Sequence, residues 1–285
     1  RIMTRQKRIV AIHDISCFGR CSLTVALPIL SAAGIETSVI PTAVLSTHTG
    51  GFTGYTFRDL THDIRPISEH WQSLGLEFDS IYTGYLGSFE QLDIVSEFFD
   101  DFRTQNNIIL VDPVMADNGK LYPSFSPDFP KGMLKLCQKA DIIVPNITEA
   151  AFLLDRPYNP GPYTEKYIED LLTELSSIGP ERIVLTGVFF DDRNLGAACL
   201  DKTTGKISFA FEEKIEGYYH GTGDVFGSAL LAALLNGFDL ADSTKVAVDF
   251  TVESIRKTKA AGTDVRFGVN FECTLPSLIK SLNLY

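Results

Sequence analysis

A glycine-rich stretch near residue 221 places a carboxylate next to a backbone that is suited to bind an anion. It reads Gly221-Thr222-Gly223-Asp224, and a helical run of mostly small apolar residues continues to Leu235. The glycines allow a tight turn, so free N–H groups at the start of the helix would point at a bound phosphate, which the helix dipole also favours. A carboxylate beside an anion is unfavourable unless it does chemistry or holds a cation. General-base removal of a proton from an attacking hydroxyl is therefore the natural role for Asp224.

Other interpretations of the same stretch must be weighed. Asp is a preferred cap residue, and many Thr-Gly-Asp sequences before helices are only caps. The third glycine, Gly227, comes one residue too late for the dinucleotide pattern Gly-x-Gly-x-x-Gly. No Gly-Lys-Ser/Thr is present, which excludes a P-loop. Spacing alone leaves phosphate binding and plain capping as open alternatives.

The other candidate residues follow short apolar strands, the first of which is predicted over Arg8–His13. Strand-like and helix-like segments alternate along the chain, which predicts an α/β fold with a mostly parallel sheet and helices on both faces. Ligands bind to such sheets outside the carboxyl ends of the strands. The polar residues expected at those ends are Asp14, Tyr85, Asp112, Asn146, Glu149 and Thr186.

No linker, repeat or shift in composition divides the 285 residues. A single α/β domain over residues 1–285 is the simplest organisation. The segment 39–57 carries a cluster of Thr and Gly residues, and we expect it to project as a small lid.

Charge and cysteine content restrict the partners and the compartment. The chain has 25 Lys and Arg against 36 Asp and Glu, a net charge of −11, which disfavours binding to nucleic acid or to a membrane surface. No stretch approaches the roughly 20 apolar residues of a membrane span, and the apolar run after the basic N-terminus is too short for a signal peptide. Five scattered cysteines without a Cys-x-x-Cys pair favour a reducing compartment, so we expect a cytoplasmic protein.

Several motifs resemble the ribokinase-like superfamily of ATP-dependent small-molecule kinases, whose fold is a three-layer α/β sandwich. The Gly-Thr-Gly-Asp stretch matches the superfamily. The order and spacing of further motifs resemble the pyridoxal kinases within it, from about Ile9 to Lys259. These motifs are Ala11-Ile12-His13, Ser46-Thr47-His48-Thr49-Gly50, Tyr82-Thr83-Gly84-Tyr85, Asp112-Pro113-Val114-Met115-Ala116-Asp117 and Ile143-Val144-Pro145-Asn146-Ile147-Thr148-Glu149.

The resemblance implies phosphoryl transfer from ATP to the 5′-hydroxymethyl group of pyridoxal, pyridoxamine or pyridoxine. Asp224 would be the catalytic base, and the N–H groups of Gly221, Thr222 and Gly223 would form the anion hole. Asp112 and Glu149 would face Mg²⁺, which keeps several waters and so needs few protein ligands. The ATP-binding residues would be Asn146, Glu149, Thr186, Asp117 and Tyr122, the last two on a loop. The pocket of the acceptor would be lined by Asp14, His48, Thr49 and Tyr85. Family members are often homodimers, so the resemblance also implies a dimer.

The chain departs from the pyridoxal kinase pattern at two positions. Asp14 stands where a neutral serine is usual, which leaves the preferred vitamer open. Val144 stands where a threonine is usual and removes a hydroxyl near the phosphates, which leaves a monovalent-cation site open. Two other activities also remain open: a hydroxymethylpyrimidine or sugar kinase of the same superfamily, and a protein that binds B6 vitamers without catalysis. The intact Gly-Thr-Gly-Asp stretch favours an enzyme.

Overall fold

A computed structural model describes residues 5–285; the first four, which begin the basic N-terminal stretch, lie outside the described residues. The strands are β1 (Arg8–Phe18), β2 (Glu36–Thr47), β3 (Phe57–Asp59), β4 (Ser80–Thr83), β5 (Ile108–Val111), β6 (Ala116–Asp117), β7 (Lys120–Leu121), β8 (Ile142–Ile143), β9 (Arg182–Val188), β10 (Asn194–Asp201) and β11 (Lys206–Glu213). The helices are α1 (Leu23–Ala32), α2 (Thr61–Ser73), α3 (Phe89–Phe102), α4 (Phe129–Gln138), α5 (Ile147–Leu153), α6 (Glu165–Ser176), α7 (Thr222–Leu235), α8 (Leu240–Ala261) and α9 (Leu275–Ser281).

Nine strands form one sheet in the order β11-β10-β9-β8-β5-β4-β1-β2-β3. The six strands from β9 to β2 in that order are parallel, and β3, β10 and β11 are antiparallel at the edges. Helices α1, α7 and α8 pack on one face, and α2 to α6 pack on the other. The predicted three-layer α/β architecture is confirmed.

The sequence of β1 shows why helices cover both faces of the sheet. Successive side chains of a strand point to opposite faces. Ile9 accordingly belongs to the core beneath α1 and α7, while Val10 and Ile12 belong to the core beneath the other helices, and all three are fully buried. A strand that is apolar on both sides is stable only between two helical layers.

The predicted end of the first strand is wrong. β1 continues five residues beyond His13 to Phe18, because it pairs with β2 as far as the Phe18–Thr47 partners. Asp14 therefore lies inside β1 rather than after it. The β1–β2 register shifts between His13 and Ile15, and such a bulge redirects the side chain at that point.

The segment expected to form a lid is partly strand. Residues 39–47 belong to β2, and 48–56 form the loop that leads to the short edge strand β3. Because β4 pairs only with Ile9–Ile12 of β1, the later parts of β1 and β2 extend with β3 beyond the rest of the sheet. A lid function for this extension stays a prediction.

Three further features of the described chain bear on the sequence analysis. The hairpin of β6 and β7 occupies the segment expected to be a loop, and neither β3 nor α9 was predicted. All five cysteines are free thiols. Among residues 5–285, no helix combines the length and the apolar character that crossing a bilayer requires.

Candidate active site

A cavity of about 460 Å³ opens at the carboxyl ends of the central strands, in front of the N-terminus of α7. It brings together every residue that the sequence assigned to catalysis, nucleotide binding or metal binding. These residues are Asp112, Asp117, Tyr122, Asn146, Glu149, Thr186, Gly221, Thr222, Gly223 and Asp224. Their convergence agrees with the rule that parallel sheets bind ligands at this edge; their individual roles stay predictions.

The glycine-rich stretch forms a cradle at the start of α7. Gly221 is the cap residue and has a left-handed backbone with φ of 76°, a conformation that glycine adopts without strain. Among the described residues, the N–H groups of Thr222, Gly223 and Asp224 have no acceptor, and the first helical bond is Val225 N–H to the Gly221 carbonyl. Apart from its chain neighbours and the backbone of its own helix, no described atom lies within 4 Å of where a Gly223 β-carbon would be. An anion could therefore approach this backbone closely.

The structure excludes the interpretation of Asp224 as a plain helix cap. Asp224 is the third residue of α7, and no side chain caps this helix. Instead, its Oδ2 accepts a hydrogen bond from the Ser22 N–H, 2.8 Å away. Burial, together with the negative charge of Asp14, raises the pKa of Asp224 to about 6, although the hydrogen bond from the Ser22 N–H opposes the shift. A carboxyl with such a pKa is suited to accept a proton near neutral pH.

Asp112 and Glu149 provide two further buried carboxylates. Asp112 directly follows β5, and Glu149 is in the first turn of α5. Glu149 forms a capping box with Asn146 and also accepts the Met115 N–H at 3.0 Å. Burial raises the pKa of Glu149 to about 8. Burial raises that of Asp112 well above its usual range, and the charges of Glu149 and Asp224 add to the effect.

The donor set determines what kind of ion fits. In the part of the chain that the structure describes, no three His, Cys, Asp or Glu side chains converge into a metal site. Two buried oxygen donors of like charge remain, Asp112 and Glu149. They fit a hard cation that keeps water ligands and also binds phosphate oxygens, as Mg²⁺ does.

The predicted nucleotide-binding residues lie around the same cavity. Asn146 pairs with Thr186 of β9 as an isolated bridge, and its Nδ2 donates to the Ala116 carbonyl at 2.9 Å. Asp117 lies in β6, and Tyr122 follows β7. Burial raises the pKa of both Asp117 and Tyr122.

The apolar wall of the cavity was not predicted from the sequence. It is formed by Leu195, Phe226, Val248, Val252 and Ile255, with Tyr218 and Thr251 beside them. The last three of the five apolar residues are on α8, where the sequence pattern predicts a long helix over Ser243–Lys259 without indicating that one of its faces meets a cavity. Their spacing of four and three residues was the available signal.

The predicted acceptor residues do not line this cavity. Asp14 is buried, and its Oδ1 accepts the Ser22 hydroxyl at 2.7 Å. Tyr85 is half-buried and contacts Ser124 through its hydroxyl. His48 Nδ1 accepts the Gly50 N–H, which leaves Nε2 to donate to the Arg266 carbonyl.

Of these residues, only Asp14 is connected to Asp224, through Ser22. Thr49 is exposed on the loop after β2. Ser22 itself was missed, and nothing in its local sequence indicated that it would lie between two carboxylates.

Comparison with known proteins agrees with this geometry. The family model of phosphomethylpyrimidine kinases matches residues 30–268. A Bacteroides thetaiotaomicron protein, provisionally described as a phosphomethylpyrimidine kinase and crystallised with pyridoxal, is 39% identical, with 96% of each chain covered and a TM-score of 0.91. Pyridoxal kinase from Lactobacillus plantarum is 31% identical, over 97% of this chain and 98% of that one, with a TM-score of 0.88.

A third relative extends the similarity to eukaryotes. Pyridoxal kinase of Dictyostelium discoideum is 27% identical over 262 residues, which cover 85% of this chain and 82% of that protein. The resemblance drawn from the motifs is thus confirmed over most of the chain. The chain belongs to the phosphomethylpyrimidine kinase family and, within it, to the pyridoxal kinases of the ribokinase-like superfamily.

Proposed function

We propose that this protein is an ATP-dependent kinase that phosphorylates the 5′-hydroxymethyl group of a vitamin B6 vitamer. One observation carries the proposal: a half-buried carboxylate, Asp224, and the free N–H groups of Thr222 and Gly223 line the same cavity. This pairing provides a base for an alcohol and a cradle for a phosphoryl group. The family and the pyridoxal bound to the Bacteroides relative support this acceptor.

Asp224 acts on the acceptor. The hydroxymethyl O–H donates a hydrogen bond to the carboxylate, and its proton passes to Asp224 as the oxygen bonds to the γ-phosphorus. The bond between the γ-phosphorus and the β,γ-bridging oxygen breaks in the same transfer, and ADP leaves. The N–H groups of Thr222 and Gly223 then face the oxygens of the transferring phosphoryl group. Phosphoryl transfer depends mainly on such positioning and charge stabilisation.

The apolar wall binds the adenine base of the nucleotide, and the carboxylate pair lies near its phosphates. Val248, Val252 and Ile255 offer an apolar surface to the adenine base, and Thr186 offers a hydroxyl to the phosphates. Asp112 and Glu149 would hold Mg²⁺, which neutralises the charge of the β- and γ-phosphate oxygens when it is bound. The mutual repulsion of these two carboxylates supports this role.

Two further properties belong to the proposal. The free cysteines fit a reducing compartment such as the cytoplasm. A homodimer is proposed from the family resemblance. Light scattering of the purified protein would show whether the mass of the particle in solution corresponds to one chain or to two.

A coupled assay of ADP release tests the function. We expect turnover with pyridoxal, pyridoxamine or pyridoxine, and little with a hexose. The description of the matching family model makes hydroxymethylpyrimidine the second candidate acceptor. Faster turnover of the pyrimidine would favour that activity. Calorimetric binding of B6 vitamers without ADP release would identify a non-catalytic binder.

A further inference from the structure

Ser22 contacts two carboxylates at once. It precedes α1, and its backbone N–H donates to Oδ2 of Asp224 at 2.8 Å. Its hydroxyl donates to Oδ1 of Asp14 at 2.7 Å. Asp14 and Ser22 are buried and Asp224 is half-buried, and Ser22 and Asp224 are 202 positions apart in the chain. Hydrogen bonds to charged groups in such surroundings are among the strong ones.

The backbone of Ser22 adopts a conformation that serine avoids. Its φ is 53° and its ψ is −128°. The other non-glycine residues with positive φ among those described are Asn118, Asp155 and Asn283, whose residue types tolerate this region. Ser22 is held there by a bridge to Ile15 and by the N–H groups of Val25 and Ala26, which bond to its carbonyl. This conformation directs the N–H of Ser22 toward Asp224.

We propose that Ser22 is a positioning residue that fixes Asp14, for which the family resemblance implies contact with the acceptor, relative to Asp224, the proposed catalytic base. Its N–H occupies Oδ2 of Asp224, and no described residue bonds to Oδ1, so that oxygen is left for the substrate hydroxyl. Its hydroxyl occupies Oδ1 of Asp14 and holds that carboxylate beside the acceptor. This inference rests on the proposed kinase function.

The two contacts can be separated experimentally. Ser22→Ala retains the N–H that bonds to Asp224 and removes only the hydroxyl that bonds to Asp14. We expect the KM for the B6 acceptor to rise about tenfold, the order expected for a lost hydrogen bond to a charged group. We expect kcat to change by less than about threefold and the KM for ATP to stay unchanged, since the lost contact serves acceptor binding alone.

Ser16→Ala is the matched control. Ser16 is also buried, and within residues 5–285 its hydroxyl forms a hydrogen bond with the Cys21 thiol alone, at 3.2 Å. Ser16→Ala removes a hydroxyl from the same region that bonds to neither carboxylate. The kinetic constants of this variant should therefore equal those of the wild type. Ser22→Gly is a second test variant, because glycine adopts the Ser22 backbone without strain; it should reproduce the KM effect even if Ser22→Ala folds poorly.

A double-mutant cycle with Asp14→Ala distinguishes positioning from general damage. If the hydroxyl acts through Asp14, adding Ser22→Ala to Asp14→Ala raises the acceptor KM no further. Additive effects, an equal rise in the KM for ATP, or a wild-type KM in both Ser22 variants would overturn the inference while the kinase function stands. If the wild-type protein phosphorylates no B6 vitamer, the proposed function fails, and this inference fails with it.

Discussion

The carbonyl oxygen of Arg20 lies so close to the α-carbon of Gly221 that a side chain at position 221 could not fit between them. The left-handed φ of 76° at Gly221 adds a second reason for glycine there. Two positions later, Gly223 faces open space in the cavity. The fold thus requires the first glycine of the motif, and we propose that the ligand requires the second.

Alanine substitutions should separate these two requirements. We expect Gly221→Ala to lower the free energy of unfolding by about 2 kcal/mol or more, through steric overlap and backbone strain. Gly223→Ala should change it by less than about 1 kcal/mol, because alanine favours helix, yet it should lower kcat/KM for ATP at least about tenfold, because a methyl group occupies the phosphate position. Urea denaturation and steady-state kinetics measure both. A stable, fully active Gly221→Ala protein would contradict the first expectation.

Asp224→Asn should abolish the base without disturbing the fold. Asparagine has the same shape and can still accept the Ser22 N–H. We expect kcat to fall at least about 10²-fold, the low end for general-base catalysis, while calorimetry shows unchanged ATP binding. Asp242→Asn is a matched control, because Asp242 is the third residue of α8 but is exposed. Near-wild-type turnover of folded Asp224→Asn would remove Asp224 from this role.

The activity should decline on the acidic side of neutrality. Burial raises the pKa of Asp224 to about 6, so the base becomes protonated as the pH falls through that value. Below it, kcat/KM should fall about tenfold per pH unit. The charge of Asp14 also raises this pKa, so Asp14→Asn should move the acidic limb of the kcat/KM–pH profile to lower pH. A limb that stays in place in Asp14→Asn would show that the two carboxylates are not coupled.

Turnover should require Mg²⁺ or a similar hard divalent ion. The two buried carboxylates repel each other, and the described part of the cavity contains no lysine to neutralise phosphate charge. EDTA should therefore abolish activity, and Asp112→Asn and Glu149→Gln should each raise the Mg²⁺ concentration for half-maximal rate about tenfold or more. Because burial raises the pKa of Glu149 to about 8, Mg²⁺ should bind more tightly at pH 8 than at pH 6. Activity that survives chelation would contradict this assignment.

Asp14 should favour pyridoxamine over pyridoxal. A buried carboxylate pairs well with the 4′-ammonium of pyridoxamine, whereas the aldehyde of pyridoxal is only an acceptor. We expect a higher kcat/KM for pyridoxamine, with the ratio falling about tenfold in Asp14→Ser. If Asp14 instead bonds to the ring nitrogen or the 3-hydroxyl, which all vitamers share, the substitution leaves the ratio unchanged.

Local patterns were sufficient to predict much of this molecule. The alternation of short apolar strands and helices predicted the three layers, because the period of buried residues reports directly on secondary structure. The Gly221–Asp224 stretch predicted the cradle before α7, because only glycine permits that turn. The polar residues after the strands predicted where Asp112, Asn146 and Glu149 would meet, since parallel strands end at one edge.

The tertiary structure alone decided how far β1 extends, which residues of α8 face the cavity, and which groups surround Asp224. β1 continues past His13 because β2 supplies partners, and no local signal contains that pairing. Ser22 bonds to Asp224 only because α1, which Ser22 precedes, packs against α7 in the fold, across 202 positions of sequence. A motif fixes the backbone that its own residues can adopt, whereas contacts between distant segments depend on the packing of the whole chain.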